Sequence, residues 1–241
     1  MRYLITALLM LMLAPVSVTD PGNETNVYEV RYVRGALNTR VAKATLSLAE
    51  DEWEEQPAYR ADITIKVAAI FRLFMKTDYI VTARYTRPGM LPLYYYSQEV
   101  KKYGECHYGE ELIHFSRQMD RDAPVEEFDV PNDGKSFELL SMLMFARRYD
   151  FEPEVPVPVK ILMFGDAYHA QITLQVTDET LFPGHKAEVL VMEVLERGLF
   201  ENKSGQQITV WRDAEGSRPI LGLEINLHKA KVVCKVIDKK K

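Results

Sequence analysis

Apolar and polar residues alternate with period two through most of this chain, and that pattern constrains the fold more than any other feature of it. Tyr59, Ala61, Ile63, Ile65 and Val67 alternate with Arg60, Asp62, Thr64 and Lys66. Tyr79, Val81, Ala83 and Tyr85 alternate with Asp78, Thr82 and Arg84, and Tyr168, Ala170, Ile172, Leu174 and Val176 with His169, Gln171, Thr173 and Gln175. Val155, Val157, Val159, Ile161 and Met163 form a further apolar row. Weaker rows run through residues 28–33, 41–48, 92–103, 106–118, 186–196, 207–212, 220–228 and 231–237. Successive side chains of a strand point to opposite faces, so each row puts one face on a core and the other in water. Antiparallel strands with one wet face have this signature.

The breaks between rows carry turn chemistry: Arg87-Pro88-Gly89, Phe182-Pro183-Gly184 and Glu215-Gly216-Ser217. Pro156 and Pro158 lie in one row, and proline lacks the ladder donor, so that strand is expected at an edge. One segment departs from period two. Residues 136–148, SFELLSMLMFARR, place Phe137, Leu140 and Met144 on one helical face, with Leu143 beside them. Ser136 is a candidate cap, Glu138 falls in the positive first turn, and Arg147 and Arg148 fall in the negative last turn. The expected fold is therefore mainly β. It is a large curled antiparallel sheet, or a barrel or half-barrel, with one amphipathic helix plugging or covering an opening. Residues 68–74 are a second, shorter helix candidate or an aromatic wedge.

The first residues carry an export signature. Arg2 precedes an apolar run from Leu4 to Ala14, followed by Pro15, Ser17 and polar residues from Thr19. The run is shorter than the roughly 20 residues that span a bilayer. Residues 1–19 thus read as a signal peptide and residues 26–238 as a single β-rich domain, with no transmembrane span once the signal is removed. No cysteine follows the run, which excludes the bacterial lipoprotein pattern. The formal charge of −5 gives no general attraction to nucleic acid. The two cysteines, Cys106 and Cys234, are too few for a disulfide scaffold, and only geometry decides whether they pair.

Chemistry-bearing motifs are sparse. Residues 131–136, PNDGKS, end like a phosphate-binding loop, but Asp129 stands where the motif needs glycine. Cys106, His107, Glu110 and His114 have metal-like composition, yet strand alternation turns His107 away from the others, and no metal or other cofactor is expected. There is no nucleophile elbow. The adjacent carboxylates Glu54-Glu55 and Glu126-Glu127 point to opposite faces of an extended chain. Arg212, Asp213 and Arg218 flank a turn near Trp211 and suggest an ion pair that closes it. Tyr94, Tyr95 and Tyr96, close in sequence to Tyr79 and Tyr85, suit either an ordinary half-buried sheet or the wall of a wet-rimmed apolar cavity.

Two stretches carry a resemblance. Residues 136–151, SFELLSMLMFARRYDF, precede a V-x-V-x-V strand, and residues 197–227 contain RGLFENKSGQQITVWRDAEGSRPILGLEINL. Together they resemble a bacterial exported family, domain of unknown function 3108, in its Bacteroides-type version, over roughly residues 26–238. On that resemblance Ser141 and Arg147 (or Arg148) fill the family's helix motif, and Trp211, Asp213, Arg218 and Pro219 fill its second motif. Arg212 departs from the pattern, standing where a small residue is common. The family carries no assigned reaction. The resemblance implies export, to the periplasm of a Gram-negative bacterium, and a β-rich body; by analogy of architecture alone, a curled sheet closed by a helix resembles the lipoprotein-carrier and calycin folds, which hold apolar molecules.

These readings converge on a non-catalytic envelope protein that binds or carries an apolar or amphipathic small molecule. The candidate liners are Tyr79, Tyr85, Tyr95, Phe137, Leu140 and Met144, with the helix as a lid. A structural or protein-docking component of the envelope is the alternative. A hydrolase whose site is assembled from distant strands, around Glu110, His114 and Arg147, is a further one.

Overall fold

The structure is a computed structural model and describes residues 21–69, 79–87, 89–98, 102–163, 165–178, 181–197 and 206–237. The signal-like segment 1–19 and most of the candidate helix at 68–74 lie outside the described residues. In chain order the strands are β1 (Glu24–Arg34), β2 (Leu37–Trp53), β3 (Gln56–Val67), β4 (Tyr79–Thr86), β5 (Pro92–Gln98), β6 (Tyr103–Tyr108), β7 (Leu112–Gln118), β8 (Glu126–Pro131) and β9 (Ser136–Glu138). A helix, α1 (Leu139–Arg148), follows. Then come β10 (Val157–Met163), β11 (Asp166–Asp178), β12 (Ala187–Val194), β13 (Gln206–Asp213), β14 (Ile220–Leu227) and β15 (Ala230–Val236).

All fifteen strands belong to one sheet, in the order β8-β7-β6-β5-β4-β3-β2-β1-β15-β14-β13-β12-β11-β10-β9. Every neighbouring pair is antiparallel except β9 and β10, which run parallel through Lys160–Leu162. The order is that of an up-and-down meander whose first and last strands have paired, Tyr28 opposite Val236 and Val33 opposite Lys231. The sheet's free edges are then β8 and β9, which are consecutive in sequence and joined by the short segment 132–135. A connection that short forces the two edges together, so the sheet must curl. Register shifts at Val30/Arg31, Arg84/Tyr85, Leu174/Val176 and Trp211/Arg212 help it do so, because an irregular register sharpens local twist.

The edges meet through side chains rather than ladder hydrogen bonds. Leu162 of β10 packs with Cys106, Ile113, Phe115, Phe128 and Val130 from β6, β7 and β8. Asp133 binds Lys160 at 2.7 Å, and Arg117 of β7 approaches Asp166 of β11 at 3.7 Å. Gly165, in the β10–β11 turn, lies against the Phe128 ring: a Cβ there would sit 2.0 Å from its Cζ. Pro158 falls on the part of β10 that β9 does not cover, so its missing N–H disrupts no ladder bond.

The helix runs inside the curl rather than across its mouth. Leu140, Ser141, Met142, Leu143, Met144, Ala146 and Arg147 are all buried. It is shorter than the segment 136–148 suggests. Residues Ser136–Glu138 are drawn into the sheet as β9, and Ser136 donates its hydroxyl to Asp133 instead of capping the helix. Glu138 is the N-cap residue, but its side chain makes no capping bond. The apolar row of β10 begins at Val157, since Val155 is exposed outside the strand. The charges around the β13–β14 turn do not close it by pairing with one another. Arg212 binds Glu188, Arg218 binds Asp150 and Asp213 binds His185.

Candidate functional site

The inward face of the sheet is filled unevenly along the barrel axis. At one end, where β1 starts and β13 turns into β14, the interior is packed by α1. Towards the other end lies a cavity of about 370 Å³. Ile65, Tyr79, Ser97, Gly104 and Met163 line it close to the ends of their strands, and Leu139, Leu140 and Leu143 of α1 form its floor. Val30, Ala44, Leu46, Ile63, Val81, Leu223 and Ile225 complete an almost wholly apolar wall. Tyr28 also faces it, with its hydroxyl donated to the Ile220 carbonyl at 2.8 Å. The volume falls in the lower part of the roughly 300–1,000 Å³ range of small-molecule sites.

Of the expected liners, Tyr79, Tyr95 and Leu140 line the cavity. Tyr85, Phe137 and Met144 lie instead in the dense core, each at most 2 % exposed. Tyr85 is near the helix-filled end of β4, where its hydroxyl is 3.5 Å from that of Ser141, and Phe137 stacks on Phe145. Alternation establishes that a side chain points inward. It does not establish which half of the barrel receives it.

Among the polar side chains in this wall is a buried carboxylate. Glu138 sits at the junction of β9 and α1 and is 3 % exposed. Its Oε1 accepts a hydrogen bond from the Tyr108 hydroxyl at 2.6 Å and another from the Cys106 thiol. Its Oε2 is buried and has no partner. Burial pushes this carboxyl above its ordinary range, while Cys106, Tyr108 and Ser141 pull in the opposite direction. Burial also raises the Cys106 thiol and the Tyr108 and Tyr95 phenols well above their usual values, with Glu138 adding to each shift. All three stay protonated and serve as donors or apolar bulk, not as nucleophiles. Sequence patterning places Glu138 in a helix's first turn and misses its role. The available signal was a lone carboxylate within an otherwise apolar run, SFELLSMLMF.

At the packed end, buried arginines hold α1 in place. Arg147 is clamped by both oxygens of Glu24, at 2.6 and 2.8 Å, and donates Nε to the Ser217 carbonyl at 2.6 Å. Arg212 donates to the Ala146 and Tyr149 carbonyls at 2.6 and 2.7 Å, and its Nε reaches Glu188 at 2.7 Å. A guanidinium on the last carbonyls satisfies groups the helix cannot bond itself and complements its negative end. Arg212, which stands where the resemblance leads one to expect a small residue, thus makes more contacts with the helix than its motif neighbours. Asp213 receives His185 at 2.7 Å, Trp211 packs near Phe182, and Pro219 follows the strained Arg218, whose φ is 51°. Ser141 and Arg147 belong to the helix, and Arg218 binds Asp150 just beyond its end; of the motif residues, none lines the cavity.

The other polar candidates are dispersed. His107 lies on the outer face beside Tyr94 and Trp53 and contacts Glu105 at 3.2 Å. His114 pairs with Asp129, and Glu110 is exposed in the β6–β7 turn, so neither joins Arg147 in a common site. Among the described residues no group of three or more His, Cys, Asp or Glu side chains could hold a metal ion. Cys106 and Cys234 are both free thiols. In the loop at 132–135 the N–H groups of Gly134 and Lys135 are taken up by Asn132 and Asp133, which leaves no phosphate cradle there. Among the described residues no helix is long and apolar enough to cross a membrane.

A curled meander with an internal helix held by Arg147 and the Trp211–Pro219 segment joins the two sequence motifs in one structural unit. The family described as a protein of unknown function, DUF3108, matches residues 27–222. The chain belongs to this family. A solved structure with a similar fold is the crystal structure of a beta-barrel-like protein of domain of unknown function DUF1849 from Brucella abortus. The two are 7 % identical, with 90 % of this DUF3108 chain and 96 % of the other covered at a TM-score of 0.51. That likeness concerns the fold. A comparison with curated proteins finds no match.

Proposed function

We propose that this chain is an exported, periplasmic carrier that holds an apolar or amphipathic small molecule inside its curled sheet. The observation that carries the reading is the almost wholly apolar cavity of about 370 Å³ inside the curled sheet. A well-formed apolar cavity with a few polar groups in its wall is the usual form of a small-molecule site. The export half of the reading is supported by the charged start and apolar run of residues 1–19. Docking a partner strand along an exposed edge is less well supported. β8 is short, ends in Pro131 and carries Glu126, Glu127 and Asp129, all of which oppose strand addition.

The test is native mass spectrometry of protein isolated without detergent, with thermal melting against a panel of small apolar compounds. A retained adduct is expected, or a ligand at about a hundred times its Kd that stabilises by about 2.7 kcal/mol and raises the melting temperature by about 5–10 °C. Ala44→Phe, which fills the cavity, should abolish both effects. A ligand-free protein that no compound stabilises would remove the basis for the carrier reading. Fractionation with N-terminal sequencing of the mature chain tests export independently.

A further inference from the structure

Behind the cavity wall, the solvent face of the sheet gathers charge of one sign. We propose that the outer surface of β15, β1, β2 and β3, on the half of the barrel that holds the cavity, docks the protein on an anionic lipid bilayer. The surface lies outside the barrel, and the docking does not depend on a ligand in the cavity.

Three observations lead there. First, strand register assembles the cations. One row across the four strands runs Lys235, Glu29, Lys43, Lys66. The next places Arg31 opposite Arg40, and the one after places Lys231 opposite Val33. Val30, Ala44, Ile65, Val232 and Cys234, which alternate with these residues, line the cavity, so the rows lie on the outer face. Exposed Arg34 and Lys229 add charge in the adjoining turns. Two acids are interspersed: Glu29 binds Arg31 at 2.7 Å and lies 3.9 Å from Arg40, and Glu224 binds Lys231 at 2.9 Å. Lys43 and Lys66 are exposed and directly opposite each other, and neither makes an ion pair among the described residues. Like charges directly opposed destabilise a sheet, and an external negative surface offsets that repulsion. Second, the other end of the barrel is acidic. Glu50, Glu52, Glu54 and Glu55 crowd the β2–β3 turn, and Glu110 and Glu111 the β6–β7 turn, all of them exposed. The net charge of −5 therefore conceals a polarity along the barrel. A negative surface attracts one end and repels the other, which orients the molecule. Third, exposed apolar side chains border the basic rows. Leu37, 54 % exposed, stands opposite Arg34, and Ile80, 47 % exposed, stands opposite Thr64, one outward position from Lys66. A hydrated polyanion offers these side chains nothing, whereas the boundary between lipid head groups and acyl chains buries them.

Co-sedimentation with vesicles of equal parts phosphatidylcholine and phosphatidylglycerol, against vesicles of phosphatidylcholine alone, tests the proposal. Binding to the mixed vesicles at low salt is expected, with loss at high salt and little binding to phosphatidylcholine. Each basic residue close to an anionic bilayer is worth about fivefold in affinity, so Lys43→Gln combined with Lys66→Gln should weaken binding about 30-fold. That double variant removes a like-charge pair, so its melting temperature should be no lower than that of the unaltered protein. Lys135→Gln combined with Lys186→Gln removes the same charge from the opposite end and should leave binding within about twofold. The apolar run of residues 4–14 is common to all three proteins and cancels in the comparison. Equal weakening by the two double variants, binding indifferent to vesicle charge, or no binding at all would overturn the proposal. Binding to soluble dextran sulfate as tight as to the mixed vesicles would overturn the lipid assignment in favour of another polyanion. Each of these outcomes leaves the carrier reading intact, because none of the measurements involves the cavity.

Discussion

Glu138 is unusual because its environment supplies two donors to one oxygen and none to the other. Tyr108 and Cys106 face it from β6, Tyr85 and Tyr95 lie near it on β4 and β5, and Ser141 faces it from α1. All are neutral, so the helix N-terminus supplies only a partial positive charge and desolvation dominates. The consequence for stability has a definite sign. Below the ordinary value of 4.5 both the folded and the unfolded chain hold the proton, and Glu138 adds no pH dependence. Between 4.5 and its raised native value the folded chain holds more protons than the unfolded one, so its contribution to stability falls as pH rises. Denaturant titrations of the unaltered protein and Glu138→Gln from pH 4 to 8 should therefore diverge, with the variant gaining relative stability as pH increases. A pH-independent difference would mean that the native carboxyl titrates at its ordinary value.

Among the elements, α1 depends most on its surroundings. Ten residues are too few to be helical alone in water, and this helix lacks both a side-chain cap and an acidic first turn. Its stability comes from burial and from side chains supplied by the sheet. Arg212 brings a charge from β13 to the helix's last carbonyls, and Arg147 ties the helix back to Glu24 on β1. Removing such a group leaves Glu188 and several carbonyls without their buried partner. Arg212→Ala is accordingly expected to cost about 3–5 kcal/mol, read as a loss in chemical denaturation. The same Ala substitution at exposed Arg34 should stay within about 0.5 kcal/mol. A small effect at Arg212 would show that packing alone holds the helix.

At the scale of the molecule, closure depends on a seam with almost no backbone hydrogen bonding. β8 approaches the β10–β11 turn through the Phe128 ring, which stacks on Phe115 at 5.5 Å and lies beneath Arg117 at 4.8 Å. Gly165 leaves room for that ring at a positive φ of 88°. Gly165→Ala therefore carries backbone strain and a clash that would drive Phe128 from both partners. Gly134→Ala, at a φ of 71° with nothing within 4 Å, carries the strain alone. Thermal unfolding should show a loss of about 1 kcal/mol for Gly134→Ala and about 2–3 kcal/mol for Gly165→Ala. Equal losses would mean that the seam yields freely. The cavity is bounded by strands on both sides of the seam, with Phe115 on one and Leu162 and Met163 on the other, so under the proposed carrier function opening the seam should also weaken ligand retention.

Period-two alternation by itself determined that this chain is mainly β, that its sheet is antiparallel with one wet face, and that one amphipathic helix interrupts it. Those are local properties: strand geometry sends neighbouring side chains to opposite faces whatever the rest of the chain does. Tertiary structure decided what lies behind each inward face. Tyr59 and Ile63 belong to one row, yet Tyr59 meets packed protein and Ile63 meets empty space. Likewise Glu138 and Cys106, far apart in sequence, become partners only when β9 is placed beside β10 and the sheet's edges are brought together. Burial, pairing and the shape of the void depend on contacts between distant strands, and a local pattern cannot encode the distance between them.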